Sequence, residues 1–476
     1  MDGSNEVSRR DFLHRLAAGS ALGFAAQLPL MSRALAAENY SGLSDYKSLV
    51  CVYLNGGMDS HNAFVPYASA RYAEYAALRQ GLAIPRASLL PGTGNVIGFH
   101  PGLAPVRTLF NEGKLALVAN LGNLFEPMAP QHLFDYYETG NSAVEIPHEL
   151  YSHSHQTELI QLNFIRRPGS IAAGWGGQMG DRLIAANVNQ SFPLAYTLAG
   201  SNYWQTGLNT RPFSVQPGQD IPRFEEFSSD SWPPWEPGRS ASWGEILARS
   251  YAHPLEAQAA SAMSGTRQRS DLMRAALAGA PQITTPYNAE SWFESQLRSV
   301  ARLISIRQQV GMRRQLFFVE LGGWDTHSQH LQWHGELLVE LANGLFNFQR
   351  TLQELAVESS VTTFTFTEFN RTLTINGDGT DHGWAGDQIV MGGAVDGGKV
   401  HGTPIAYSTA NTGEHWGDTL FGPADTGAGR FVPQYSMDQY GATLAKWMGI
   451  KGTDFNAIFP NLANFTQPDL GFMKPA

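Results

Sequence analysis

Residues 315–321 (QLFFVEL), running into Gly322-Gly323-Trp324-Asp325-Thr326-His327, decide the fold. The apolar, β-favouring run reads as a buried strand, and the paired glycines let the chain turn sharply off its end. Beyond it, Leu338, Leu341, Leu345, Phe348, Leu352 and Leu355 recur at three- and four-residue spacing, which predicts a helix over about 335–355. A second β-rich run, 361–367 (VTTFTFT), follows. Strand, helix, strand in this order predicts parallel strands joined by a right-handed crossover.

The same punctuation recurs elsewhere. Residues 48–54 (SLVCVYL) lead into Gly56-Gly57-Met58-Asp59. The 361–367 run ends in Glu368 and passes through a loop rich in Gly, Asn and Asp to Thr380-Asp381-His382-Gly383. Open α/β sheets bind ligands just beyond the carboxyl ends of their strands. Carboxylates and imidazoles at three such ends predict a hydrolytic metal site, with zinc, manganese or calcium as the divalent ion. Each acid also has a plainer reading: Asp59 as a helix cap after its glycine turn, Asp381 as a turn residue. Arg371 either neutralises an oxyanion through paired donors or simply pairs with Glu368. Ser154 lies between His153 and His155, the least a base-activated nucleophile needs, although on a strand the two histidines would line one side of a groove.

Further elements complete an α/β pattern: a strand at 115–120 (LALVAN) and a closing helix at 437–448. Turn-rich sequence occupies 200–240, followed by helical stretches near 243–278 and 289–310. Residues 190–300 are therefore expected to form an inserted, cap-like section.

The amino terminus reads as an address. Ser8-Arg9-Arg10-Asp11-Phe12-Leu13 is a twin-arginine pattern, followed by a mild apolar stretch and Ala34-Leu35-Ala36. Residues 1–36 are expected to direct Tat export, leaving a periplasmic or extracellular chain from 37 to 476 with no transmembrane segment. The Tat translocon would be its partner during export. Leaving out the four arginines and three acids of residues 1–36 takes 32 basic and 42 acidic residues to 28 and 39, a net of −11. Such a balance offers no footprint for nucleic acid. Cys51 is the single cysteine, so internal disulfides are excluded.

The ordered series LNGGMDSHNAFVPY, FHPGLAPVRTLFNEGKLALVANLGN, SHSHQ, GWGGQMGDRL, ELGGWDTHSQH, TEFNRT, NGDGTDHGW, GGAVDGGKVHG and DQYGATLAKWMG resembles the DUF1501 family. The resemblance implies the alkaline phosphatase-like (sulfatase-like) superfamily: a three-layer α/β/α sandwich around a mostly parallel sheet, two divalent metals and a hydroxyl nucleophile. By the superfamily pattern, Asp59, Asp381 and His382 would share one ion and Asp325 with His327 would serve another. The implied function is hydrolysis of small phosphate or sulfate esters, with Ser154, Arg371 and Glu368 as catalytic candidates. The alternative is a non-catalytic exported binding or assembly protein that retains the fold. A redox role lacks any dinucleotide, haem or iron–sulfur motif.

Overall fold

A computed structural model describes residues 40–163, 172–218, 236–410, 412–415 and 418–475. Residues 1–36, expected to direct export, and most of the turn-rich run at 228–238 lie outside the described residues. Nine strands build the main sheet: β1 Lys47–Asn55, β2 Leu115–Gly122, β3 Ala195–Thr197, β4 Phe213–Ser214, β5 Arg314–Gly322, β6 Val361–Phe366, β7 Gly386–Met391, β8 Val400–His401 and β9 Tyr435–Ser436. Their spatial order is β8-β2-β7-β6-β1-β5-β3-β4, with β9 on β2. β7 runs antiparallel to both β2 and β6, and the remaining pairs are parallel.

The expected βαβ unit is present with one addition. β5 and β6 are parallel, and β1 lies between them: Cys51 registers with Phe318 on one side and Phe364 on the other. The seven central residues of β1 are all buried, so both faces of the sheet are covered. Trp175, on the helix Trp175–Leu183, and Tyr440, on Met437–Met448, both pack on Phe364.

Five helices position the centre: α1 Ser60–Ala63, α2 Ser69–Arg79, α3 His153–Leu162, α4 Trp292–Ser305 and α5 His330–Glu354. α5 starts at His330, five residues earlier than the leucine spacing predicts, after Gln329, whose φ of 49° ends the preceding loop. His330 and His334 continue the buried stripe of Leu338, Leu341 and Leu345, so two imidazoles occupy positions that look like core. α4 packs along α5 and against β5.

The middle of the chain departs from the expectation of an inserted section at 190–300. β3 and β4 extend the main sheet beside β5, and α4 belongs to its helical cover. The long helices Glu236–Ala248 and Pro254–Ala278 touch one another; the second exposes Leu255, Met263 and Leu272 and packs Met273 into the main core. Among the described residues, no helix is long and apolar enough to cross a membrane.

Candidate metal centre

Asp325 leaves the end of β5 through a tight crossing. Gly56, at φ 123°, lies so close that a Cβ there would sit 2.5 Å from the Asp325 amide nitrogen, which only glycine permits. After β6 the chain carries Glu368 and Arg371, then loops out and returns with residues 381–383 alongside 370–372. Thr372 N donates to Asp381 O at 2.9 Å and Gly383 N to Asn370 O at 2.7 Å. That return sets His382 over Arg371. Gly379 packs against His327, where a Cβ would fall 2.1 Å from the His327 carbonyl.

Three imidazoles converge on the Asp325 carboxylate. Its Oδ1 is 2.9 Å from His327 Nε2 and 3.1 Å from His382 Nε2, and its Oδ2 is 3.3 Å from His153 Nε2. The Nε2 atoms of His327 and His382 are only 3.0 Å apart. Each ring turns its other nitrogen to an oxygen. His153 Nδ1 is 2.7 Å from Glu368 Oε1, His382 Nδ1 is 2.7 Å from the Tyr151 carbonyl, and His327 Nδ1 is 3.4 Å from Asp381 Oδ1. Donation through Nδ1 places the Nε2 lone pairs of His153 and His382 toward the centre. His153 Nε2 is buried and makes no hydrogen bond.

The surrounding residues hold this geometry. Glu368 is buried and also accepts from Gly56 N at 2.8 Å and from Tyr53 Oη at 3.3 Å. Phe369 stacks on His382 with ring centres 4.5 Å apart. Arg371 is fully buried, anchored on Thr380 and the Gly56 carbonyl, and donates to Asp325 Oδ1 at 2.8 Å. Asp325 itself is 44% exposed, so the centre opens to solvent through its carboxylate.

The electrostatics follow. The Glu368 hydrogen bond raises the His153 pKa against the opposing effect of burial. Burial lowers that of His382, with the Tyr151 carbonyl opposing. Burial alone would raise Asp325, but the Arg371 hydrogen bond and charge outweigh it and hold the carboxyl below its ordinary value. Asp325 is therefore held as an anion among three imidazoles, the residue types that bind a divalent cation.

The candidates from the sequence thus divide. Asp325, His327 and His382 come together, joined by His153. Asp381 stands behind His327, where it also takes Asn376 Nδ2 at 3.0 Å. Glu368 and Arg371 support the cluster rather than pairing with each other. Ser154 is exposed, with its Oγ 3.3 Å from Ser152 Oγ, and Ser152 Oγ is 2.9 Å from His155 Nδ1. The 153–155 stretch opens helix α3 rather than forming a strand, so His153 and His155 face different partners. Helical spacing, not alternation, governs it, and six residues gave no periodicity to show this.

Asp59 is placed elsewhere. It caps α1, accepting from His61 N at 3.0 Å, and its Oδ2 pairs with Arg79 and lies 2.9 Å from His330 Nε2. His334 stacks on His330 at 4.8 Å, and its Nε2 is buried without a hydrogen bond. Asp59, Arg79 and His330 have side chains with no exposure at all. Burial, followed by the Arg79 charge, drives the His330 pKa down to about 2. Neither the pairing of Arg79 with Asp59 nor the place of His153 beside Asp325 carried a signal in the sequence, since the first depends on how α2 folds back over α1 and the second on a helix start and on partners 172 and 215 residues away.

The fold and the centre define an α/β protein with a cation-type donor set at its strand ends. Residues 245–416 match the model of the family described as "Protein of unknown function (DUF1501)", a span that includes the Asp325, Glu368 and Asp381 motifs and bears out the family resemblance. No curated protein matches the chain. Solved structures of related shape include the PsFucS1 sulfatase from Pseudoalteromonas sp., with TM-score 0.35 and 8% identity, covering 94% of this chain and 77% of that one. A 2-O GAG sulfatase gives TM-score 0.30 and 9% identity over 85% and 71% of the two chains. A mutant of the alkaline phosphatase PafA gives TM-score 0.25 and 9% identity over 69% and 64%. At such TM-scores these likenesses carry no argument about what this chain does.

Proposed function

We propose that His153, Asp325, His327 and His382 hold one divalent cation, and that the protein is an exported, metal-dependent hydrolase of small phosphate or sulfate esters. The observation that supports this is the shared orientation of the three imidazoles. Each has Nδ1 against an oxygen and Nε2 aimed at Asp325, and the buried His153 Nε2 has no hydrogen bond. Three nitrogens with one carboxylate suit zinc or manganese better than calcium, which prefers oxygen ligands. When bound, such an ion polarises an ester oxygen and acidifies water.

The chain's own residues supply the rest. Glu368 holds His153 in its tautomer, and the Tyr151 carbonyl does so for His382. Arg371 is buried at the edge of the centre with its N–H groups on Asp325, the Gly56 carbonyl and Thr380, so it holds Asp325 in place and lends positive charge that favours the anionic group of a phosphate or sulfate. Among the described residues, no serine or threonine hydroxyl hydrogen-bonds to the four converging side chains, so water is assigned as the attacking group. The same observation favours the second reading, an exported binding protein that retains one metal.

Elemental analysis of full-length protein purified without chelator tests the assignment. About one ion per chain, lost in Asp325→Ala and kept in Ser154→Ala, is expected. An ion retained by Asp325→Ala, or none taken up by the wild type on adding zinc or manganese, overturns the centre. Metal without turnover of any phosphate or sulfate ester overturns hydrolysis and leaves the binding protein.

A further inference from the structure

A second feature adjoins the centre and is not used by it. A cavity of about 580 Å³ opens beyond the carboxyl ends of β1 and β5, the position where α/β sheets take ligands. We infer that it seats the non-reacting part of the substrate, and that this part is an uncharged, hydroxyl-rich group such as a sugar ring or polyol. The inference rests on the hydrolase reading for the anionic end of that substrate.

The chemistry of the walls selects the class. Tyr53, Tyr203 and Phe318 offer ring surface, while Asn55, Thr157 and Asn202 offer amide and hydroxyl groups. No lysine, arginine or histidine lines it among the described residues, and Glu320 contributes a carboxylate. One Glu320 oxygen accepts from Asn55 Nδ2 at 2.9 Å, and the other has no hydrogen bond among the described residues. A second anionic group would meet that carboxylate without a counter-charge. A purely aromatic guest would leave the carboxylate, amides and hydroxyls unmatched. A ring with apolar C–H faces and hydroxyl edges satisfies both kinds of wall.

The cavity is tied to the centre by one helix face and one hydrogen-bond chain. His153 and Thr157 lie four residues apart on α3, which puts them on the same face, the first at the centre and the second in the cavity. Tyr53 Oη lies 2.7 Å from Thr157 Oγ1 and 3.3 Å from Glu368 Oε2, and Glu368 Oε1 holds His153. An ester with its anionic group at the centre therefore has this cavity beside it for the remainder.

Saturation-transfer NMR on the full-length protein, with methyl glucoside, methyl galactoside and myo-inositol as neutral probes and 4-nitrophenol as the aryl probe, tests this without requiring turnover. At least one neutral probe should saturate and weaken ~10-fold in Tyr203→Ala, a loss of one aromatic face. Tyr203 is 38% exposed, so the change spares the core. Glu320→Gln, nearly isosteric, should also weaken the neutral probe. No saturable binding of any neutral probe overturns the inference. So does tighter binding of 4-nitrophenol with the same Tyr203 dependence. Neutral binding in a protein that hydrolyses no ester would sustain the cavity assignment and sink the hydrolase reading.

Discussion

Two clusters of the same residue types lie on either side of the Gly56 turn, and they differ in what already occupies the carboxylate. Around Asp325, imidazoles turn their far nitrogens to oxygens and leave their near ones facing an acid that reaches solvent. Around Asp59, everything is sealed: backbone amides take one oxygen, Arg79 and His330 the other. Each cluster has a buried arginine on its aspartate, Arg371 on Asp325 and Arg79 on Asp59. Glu368 and Asp381 add two carboxylates behind the histidines of the first, whereas a divalent cation in the second would face Arg79 with Asp59 alone to balance both, which Coulomb repulsion and desolvation oppose. Histidines near an aspartate are thus insufficient for a metal site. The balance of charge gathered round the carboxylate, and its access to solvent, decide it.

The largest expected effect lies in the sealed cluster. Asp59→Ala leaves Arg79 buried and unpaired, so it should destabilise the protein by about 3–5 kcal/mol in a denaturant melt, as breaking buried pairs does. Metal content of the folded fraction should not change. An ion lost from Asp59→Ala at unchanged stability would reverse the comparison.

Next comes the open cluster. His382→Ala should abolish metal retention through gel filtration while moving the melting midpoint little in apoprotein. Phe369 stacking on His382 makes some loss of packing visible, and a loss as large as that of Asp59→Ala would recast His382 as structural.

Glu368→Gln should weaken metal affinity ~10–100-fold, the usual effect of removing a carboxylate behind a liganding histidine. Competition with a chromophoric chelator measures it, and unchanged affinity would remove Glu368 from the support of His153.

The mildest test asks what burial does to a carboxylate with no cation beside it. Asp438 is buried and held by Asn461, with Asn461 N at 3.1 Å from Oδ1, and burial pushes its pKa up to about 7. A folded-state value above the unfolded one of roughly 4 means a stabilising contribution that is full below the unfolded value. That contribution is lost as pH rises through about 7. Asp438→Asn should therefore flatten stability between roughly pH 4 and 7. An unchanged slope would show that Asp438 ionises freely and that burial alone does not explain the contrast with Asp59.

Much of the scaffold was legible before any coordinates. The runs at 48–54, 315–321 and 361–367 are strands because their residues are β-favouring and apolar; the first two end at glycine turns that carry Asp59 and Asp325, and the third runs straight into Glu368. The closing helix spans Met437–Met448 as its spacing predicts. Local sequence controls such features because they depend on neighbours within a few residues.

The pairing of acids with histidines was not local. Asp59 and Asp325 share a Gly-Gly-x-Asp layout, yet one became a sealed cap and the other a solvent-reaching carboxylate among three imidazoles, because α2 brings Arg79 to the first. His153 reaches Asp325 only because the start of α3 docks over Glu368, 215 residues further along. Residue types and strand ends were written in the chain by itself. Which of them share lone pairs was decided by long-range packing, since the free energy of a carboxylate depends on the charges and solvent that the whole fold gathers round it.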